Sequence, residues 1–333
     1  MKYAARRNGF PWFRPVSPRR FLTVRMDTTN YCNLRCSMCP MRLSDRDPDR
    51  KWRHMSQEVF QRIRKEVFPL ARTAGISCGA EPLTNPSFSR HLEALYKSGV
   101  PYREMVTNGT LLTDEWIDTI LRFPPTAIFV SIDGATDEVH GRIRDRANLA
   151  ATIAMLKKLI GKRGRNRFPM LSFSTTLQRD NLHQMKGIVE LAAATGAEGA
   201  GFVPLVPYEG LDTLGRTVDM NCEETLRRVE EAKRAAIEKG IRFSFAAGTA
   251  VRAAAHPCPY LNSTIYIDPN GSVFPCAYWN TGKPLGNVMD GFNTIWKGFY
   301  YRRLRNGNWQ EGDSCLNCPE VTQRKSEVKK ARS

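Results

Sequence analysis

Nine cysteines stand in this chain, and their spacing sorts them into groups. Cys32, Cys36 and Cys39 form C-x3-C-x2-C within eight residues. Three thiolates on one loop can hold three corners of a metal site, whereas structural zinc wants four ligands. The next candidate ligand in sequence is His54. A cubane iron–sulfur cluster with three protein ligands leaves one iron open to a substrate or cofactor. Cys258, Cys276, Cys315 and Cys318 form a second set, C-x17-C-x38-C-x2-C. Four cysteines can close all four irons of a cubane, which suits electron transfer, and they can equally hold zinc. Cys78 and Cys222 remain, so no disulfide is required by the count.

Residues so far apart must be positioned by regular elements. From residue 22, short β-rich runs alternate with helical runs. The expected strands are 22–29, 73–78, 102–107, 126–132, 169–177 and 199–206, with helices near 56–70, 87–98, 113–122, 147–161 and 181–195. Six such units predict an α/β fold with a parallel sheet and right-handed crossovers, a partial (β/α)6 barrel of the TIM type. Ligands then sit at the C-terminal ends of the strands. A helix at 222–239 and a strand at 241–246 follow. Residues 264–276 read as a hairpin around Pro269-Asn270-Gly271, and a helix is expected near 292–304. The predicted division is a basic extension at 1–21, the barrel with its connecting helix at 22–249, a small α+β domain at 250–320 and a basic tail at 321–333.

The loop from Tyr31 to Pro40, reading YCNLRCSMCP, resembles the signature of radical S-adenosylmethionine (SAM) enzymes. The resemblance implies a [4Fe–4S] cluster on Cys32, Cys36 and Cys39 whose open iron binds SAM. It implies reductive cleavage of SAM to a 5′-deoxyadenosyl radical that takes a hydrogen atom from an unactivated C–H bond. Gly79-Ala80-Glu81-Pro82 resembles the Gly-Gly-Glu-Pro segment whose backbone receives the SAM amino group, with Ala80 departing from glycine and asking for a negative φ. Asn108 follows the third strand. By the same resemblance Ser131 and Asp133 lie near the ribose, Arg144 near the SAM carboxylate, and Met38 and Leu205 near the adenine. Cys258, Cys276, Cys315 and Cys318 resemble the SPASM/twitch extension of the family. Since no cysteine follows Cys318, the twitch form with one auxiliary [4Fe–4S] cluster is implied. An external electron donor such as flavodoxin or ferredoxin is implied as a partner.

The family motifs leave the reaction open. A two-electron oxidation of a hydroxylated small molecule, with the auxiliary cluster accepting an electron, is the favoured expectation. Modification of a peptide and redox-neutral epimerisation are the alternatives. Cys78 is a candidate hydrogen donor, and Glu209, His183 and His256 are candidate bases. A non-enzyme alternative is a basic zinc protein that binds nucleic acid, since Lys and Arg number 50 against 33 Asp and Glu, a net charge of +17. Seven basic residues and no acidic one precede Asp27, which reads as solvated ends or as attraction for an anionic partner. Apolar residues make up 41%, enough for a sizeable core. No apolar run reaches the ~18 residues of a spanning helix. The early positive charge lacks an apolar stretch behind it, so no secretory signal is read and a cytoplasmic location is expected.

Overall fold

The computed structural model describes residues 19–44, 51–207, 210–246, 258, 260–277, 283–310, 313 and 315. Six strands pair in parallel in chain order: β1 (Leu22–Met26), β2 (Ala71–Ile76), β3 (Tyr102–Thr107), β4 (Ala127–Ser131), β5 (Met170–Leu177) and β6 (Gly199–Pro204). These are the six expected units. The sheet extends at both ends: β7 (Arg242–Phe245) adds parallel to β6, and β8 (Thr264–Ile267) adds parallel to β1. Beyond β8 lie the antiparallel β9 (Ser272–Phe274) and β10 (Gly286–Asn287). Among the described residues the sheet stays open, with β7 and β10 at its edges.

The helices are α1 (Met41–Ser44), α2 (Gln57–Glu66), α3 (Phe88–Lys97), α4 (Asp114–Arg122), α5 (Asp137–Ile143), α6 (Leu149–Arg163), α7 (Met185–Thr195), α8 (Glu223–Glu238), α9 (Phe292–Trp296) and α10 (Phe299–Arg305). Polar residues start four of them. Ser56, Thr113, Thr136 and Asn148 each accept the backbone N–H three residues ahead, which satisfies a donor that the helix leaves orphaned. Apolar faces then pack on the sheet, with Phe60 and Ile63 of α2, Ile117 and Ile120 of α4 and Leu156 of α6 buried against strand residues such as Val24, Ala74 and Val130.

Three local departures from the sequence reading have physical causes. The helix expected at 292–304 is two helices, broken at Gly298, where a Cβ would meet the Thr294 carbonyl at 2.8 Å. Helix α5, which no expectation covered, is only seven residues long and carries the chain from β4 to Arg144. The hairpin expected in a separate domain hydrogen-bonds directly to β1 through β8. Its turn runs from Asp268, whose Oδ1 accepts the N–H groups of Asn270 and Ser272, to Gly271 at φ 84°.

Candidate active site

The C-terminal ends of the strands surround a cavity of about 780 Å³, near the upper end of ligand-pocket sizes. Cys32, Cys36 and Cys39 line one wall. Their loop is fastened to the far end of α5: Ser37 N–H donates to the Ile143 carbonyl at 2.9 Å, and Arg35 N–H to the Asp145 carbonyl at 3.3 Å. Two side chains reach the sulfurs themselves. Arg144 Nη1 lies 3.7 Å from Cys36 Sγ, and Asn108 Nδ2 lies 3.8 Å from Cys32 Sγ. Burial pushes the Cys32 thiol up to about 11 and raises Cys36 as well, although Arg144 opposes the latter. Among the described residues no three Cys, His, Asp or Glu side chains converge on a single metal ion. Three thiols spread along one wall suit a multi-iron cluster instead.

Beside the cysteine loop runs the turn after β2, joined to it where Glu81 N–H donates to the Tyr31 carbonyl at 3.1 Å. Ser77 takes a left-handed φ of 74°, and its hydroxyl donates to the Ala80 carbonyl. The positive φ therefore falls on Ser77, and Ala80 is spared it. Glu81 is fully buried and lines the cavity, yet its carboxylate accepts from Leu83 N–H, from Thr107 Oγ1 at 2.8 Å and from Asn108 N–H at 2.7 Å. It braces the ends of β2 and β3 against each other. Burial pushes its carboxyl up to about 7. Gly79, Ala80, Asn108, Ser131 and Arg144 also line the cavity. So do Met38 and Leu205, which share a small apolar cluster with Leu34, Val139 and Ile143.

Asp133 does not fit the ribose contact expected of it. It is fully buried and absent from the cavity wall. Its Oδ2 pairs with Arg144 Nε at 2.7 Å, and its Oδ1 accepts Thr176 N–H at 2.7 Å. Asp133 is turned inward because Gly134 lets α5 approach: a Cβ at Gly134 would meet His140 N at 2.5 Å. His140 Nδ1 in turn accepts the Asp133 N–H at 3.2 Å. His183 is exposed and does not line the cavity. Glu209 and His256 lie outside the described residues. Cys78 lines the cavity with its side chain open to it, and the surrounding walls, helped by the Asp27 charge, raise its thiol.

Asp27 and Tyr266 are among the cavity residues not anticipated. Asp27, just beyond β1, accepts N–H groups from Cys78 and Gly79 and the hydroxyl of Tyr266 from β8. An acidic residue directly after a strand whose alternate residues Leu22, Val24 and Met26 are buried is the available signal for Asp27; Tyr266 becomes visible only through the β1–β8 pairing.

Of the second cysteine set, Cys258 and Cys315 are buried with Leu261 and Leu304, and Cys276 and Trp309 pack against them. Cys318 lies outside the described residues. Arg305 stacks over Trp296 at 4.0 Å and Tyr301 at 4.7 Å and donates to the Leu261 and Trp296 carbonyls, pinning α10 to this small core. Three cysteines gathered on one apolar core form a donor set suited to an auxiliary iron–sulfur cluster.

Comparison with known proteins bears on both sites. Residues 26–192 match the family model of the radical SAM superfamily, and residues 258–319 match that of the SPASM iron–sulfur cluster-binding domain. The mycofactocin maturase MftC of Mycobacterium tuberculosis is 25% identical, over 89% of this chain and 75% of its own. The PqqA peptide cyclase of Bradyrhizobium diazoefficiens is 23% identical, over 89% and 78%. An AdoMet-dependent heme synthase of Methanosarcina barkeri is 25% identical, over 85% and 84%. The fold resembles that of Streptococcus suis SuiB bound to S-adenosylmethionine, with a TM-score of 0.69 and 12% identity over 91% of this chain and 72% of that one. The chain thus belongs to the radical SAM superfamily, as an enzyme that takes a [4Fe–4S] cluster with SAM in its barrel and an auxiliary iron–sulfur cluster in a SPASM domain.

Proposed function

We propose that this enzyme oxidises a peptide by two electrons in the cavity between its two cysteine sets. The observation that carries the reading is the near full-length likeness to two kinds of peptide-modifying enzyme, the MftC maturases and the PqqA cyclases. It displaces the hydroxylated small molecule favoured by sequence alone. When bound, the cluster and SAM supply abstraction of one hydrogen atom from an unactivated C–H bond. Loss of a proton to a base or water would leave one further electron, which an auxiliary cluster held by Cys258, Cys276 and Cys315 would be placed to accept, for a net loss of two hydrogens.

The chain's own residues supply the setting. Ala80 and its neighbours would take the SAM amino group, Arg144 the carboxylate, Ser131 the ribose, and Met38 and Leu205 the adenine. Arg144 suits its part because Asp133 fixes the guanidinium through Nε and leaves Nη1 toward Cys36. Phe274, which packs on the small core that holds the second cysteine set, also lines the cavity together with Ala277 and Pro284, so a substrate there would have both cysteine sets near it.

The test is anaerobic reaction of the reconstituted enzyme, SAM and dithionite with the short peptides encoded beside its gene. A product two hydrogens lighter, with deuterium passing from labelled peptide into 5′-deoxyadenosine, is expected. Inert peptides together with deuterium transfer from a polyol would restore the small-molecule reading.

A further inference from the structure

Asp27 and Tyr266 lie on the cavity wall beside the turn Cys78–Gly79–Ala80, and the radical chemistry gives them no task. Asp27 Oδ1 accepts the Cys78 N–H at 2.6 Å, and both carboxylate oxygens lie 3.1 Å from the Gly79 N–H. Tyr266 donates its hydroxyl to Oδ2 at 2.8 Å. The two backbone N–H groups can only donate, so Asp27 accepts from both; burial raises its carboxyl, and these bonds with that of Tyr266 oppose the rise. Among the described residues the one cis peptide is Phe168–Pro169, so the peptides entering Cys78 and Gly79 are trans. In a trans peptide the carbonyl points opposite to the N–H. Two N–H groups aimed at Asp27 therefore turn the carbonyls of Ser77 and Cys78 away from it. A carboxylate bonded to the N–H side also polarises each peptide, which makes its carbonyl a better acceptor for a cation.

We propose that the Asp27–Tyr266 pair is a positioning device for SAM. It fixes the backbone that enters Gly79–Glu81, the segment assigned to the cationic amino group, and it ties that backbone to β8, the strand that leads into the hairpin before Cys276. The pair couples the cofactor site to the auxiliary segment through one hydroxyl–carboxylate contact. The inference rests on the assignment of Gly79–Glu81 to the SAM amino group.

The test titrates reduced, reconstituted holoenzyme with SAM, reading the change in the cluster's EPR signal. 5′-Methylthioadenosine, which lacks the amino and carboxylate groups, serves as the second probe. Tyr266→Phe should weaken SAM about fivefold and Asp27→Asn at least about tenfold, with iron content and 5′-methylthioadenosine affinity unchanged. Should Asp27→Asn fail to take up iron, Tyr266→Phe alone decides. Equal losses for both probes would mean general damage and overturn the proposal. Wild-type SAM affinity in Tyr266→Phe alongside weakened binding in Arg144→Gln would overturn it while leaving the SAM site in place. Unaltered affinity in both variants would remove the site assignment beneath it as well.

Discussion

The two cysteine sets are built on opposite plans. The first spans eight residues on a loop whose Leu34, Cys36 and Met38 pack with Val139 and Ile143 of α5, beside strand ends buried in the barrel's large core and the Asp133–Arg144 pair. The second is drawn from separated stretches onto a core of a few side chains, chiefly Leu261 and Leu304, with Arg305 and the Arg303–Asp313 ion pair at 2.7 Å as struts. A site on a rigid frame can lose its metal and keep its shape. A site whose ligands are the core itself gains its folding energy from the metal.

The largest effect that tests this contrast is chemical. Cys32→Ala should abolish 5′-deoxyadenosine formation and remove about four of about eight irons. Its thermal midpoint should stay within about 2 °C of the parent. Cys315→Ser should do the reverse. SAM cleavage continues, the proposed substrate oxidation would fail for want of an electron acceptor, and the midpoint falls by roughly 5 °C or more. Scanning calorimetry of both variants beside product analysis decides the matter. A larger thermal loss in Cys32→Ala would invert the comparison.

Legibility in the sequence divides along the same line. The six parallel units could be read because each is a local period, and Cys32, Cys36 and Cys39 because their spacing is local. What long-range pairing creates could not be read. Tyr266 stands opposite Arg25 only through the parallel β1–β8 register, and so reaches Asp27 across 239 residues. The family resemblance puts Asp133 near the ribose. Its inward turn depends on how closely α5 packs at Gly134, which spacing does not show. Glu81 was found by resemblance, but its use as a brace for Thr107 and Asn108 is a matter of geometry.

The next effect sharpens what a rigid frame means for the first site. Asp133→Asn keeps an acceptor for Thr176 N–H but removes the charge facing Arg144. A buried guanidinium left without its partner costs about 3 kcal/mol. Stability should fall by roughly that amount in urea, and SAM should bind less tightly because Arg144 is no longer oriented. Full SAM affinity in this variant would show that Arg144 is held by its neighbours rather than by the pair.

The smallest effect is a pH dependence confined to the same frame. Burial, with the Arg144 charge behind it, holds His140 down at about 4, against 6.5 in an unfolded chain. Below 6.5 the unfolded state takes up a proton that the native state refuses, so this residue's contribution falls as pH drops from 6.5 toward 4. By pH 5 the loss is about 2 kcal/mol. Glu81 acts in the opposite sense: with its carboxyl raised to about 7, the native state holds a proton that the unfolded state releases above 4.5, and stability declines as pH rises through that window. The wild-type curve mixes the two, and only a difference between variants separates them. His140→Asn supplies it, since an amide oxygen can accept the Asp133 N–H in place of Nδ1 and does not titrate. Urea midpoints at pH 5 and pH 7 should show the parent losing stability relative to His140→Asn at the lower pH. A constant gap between the two proteins would mean that His140 is already solvated, and that the frame around Asp133 and Arg144 is looser than the second site's core.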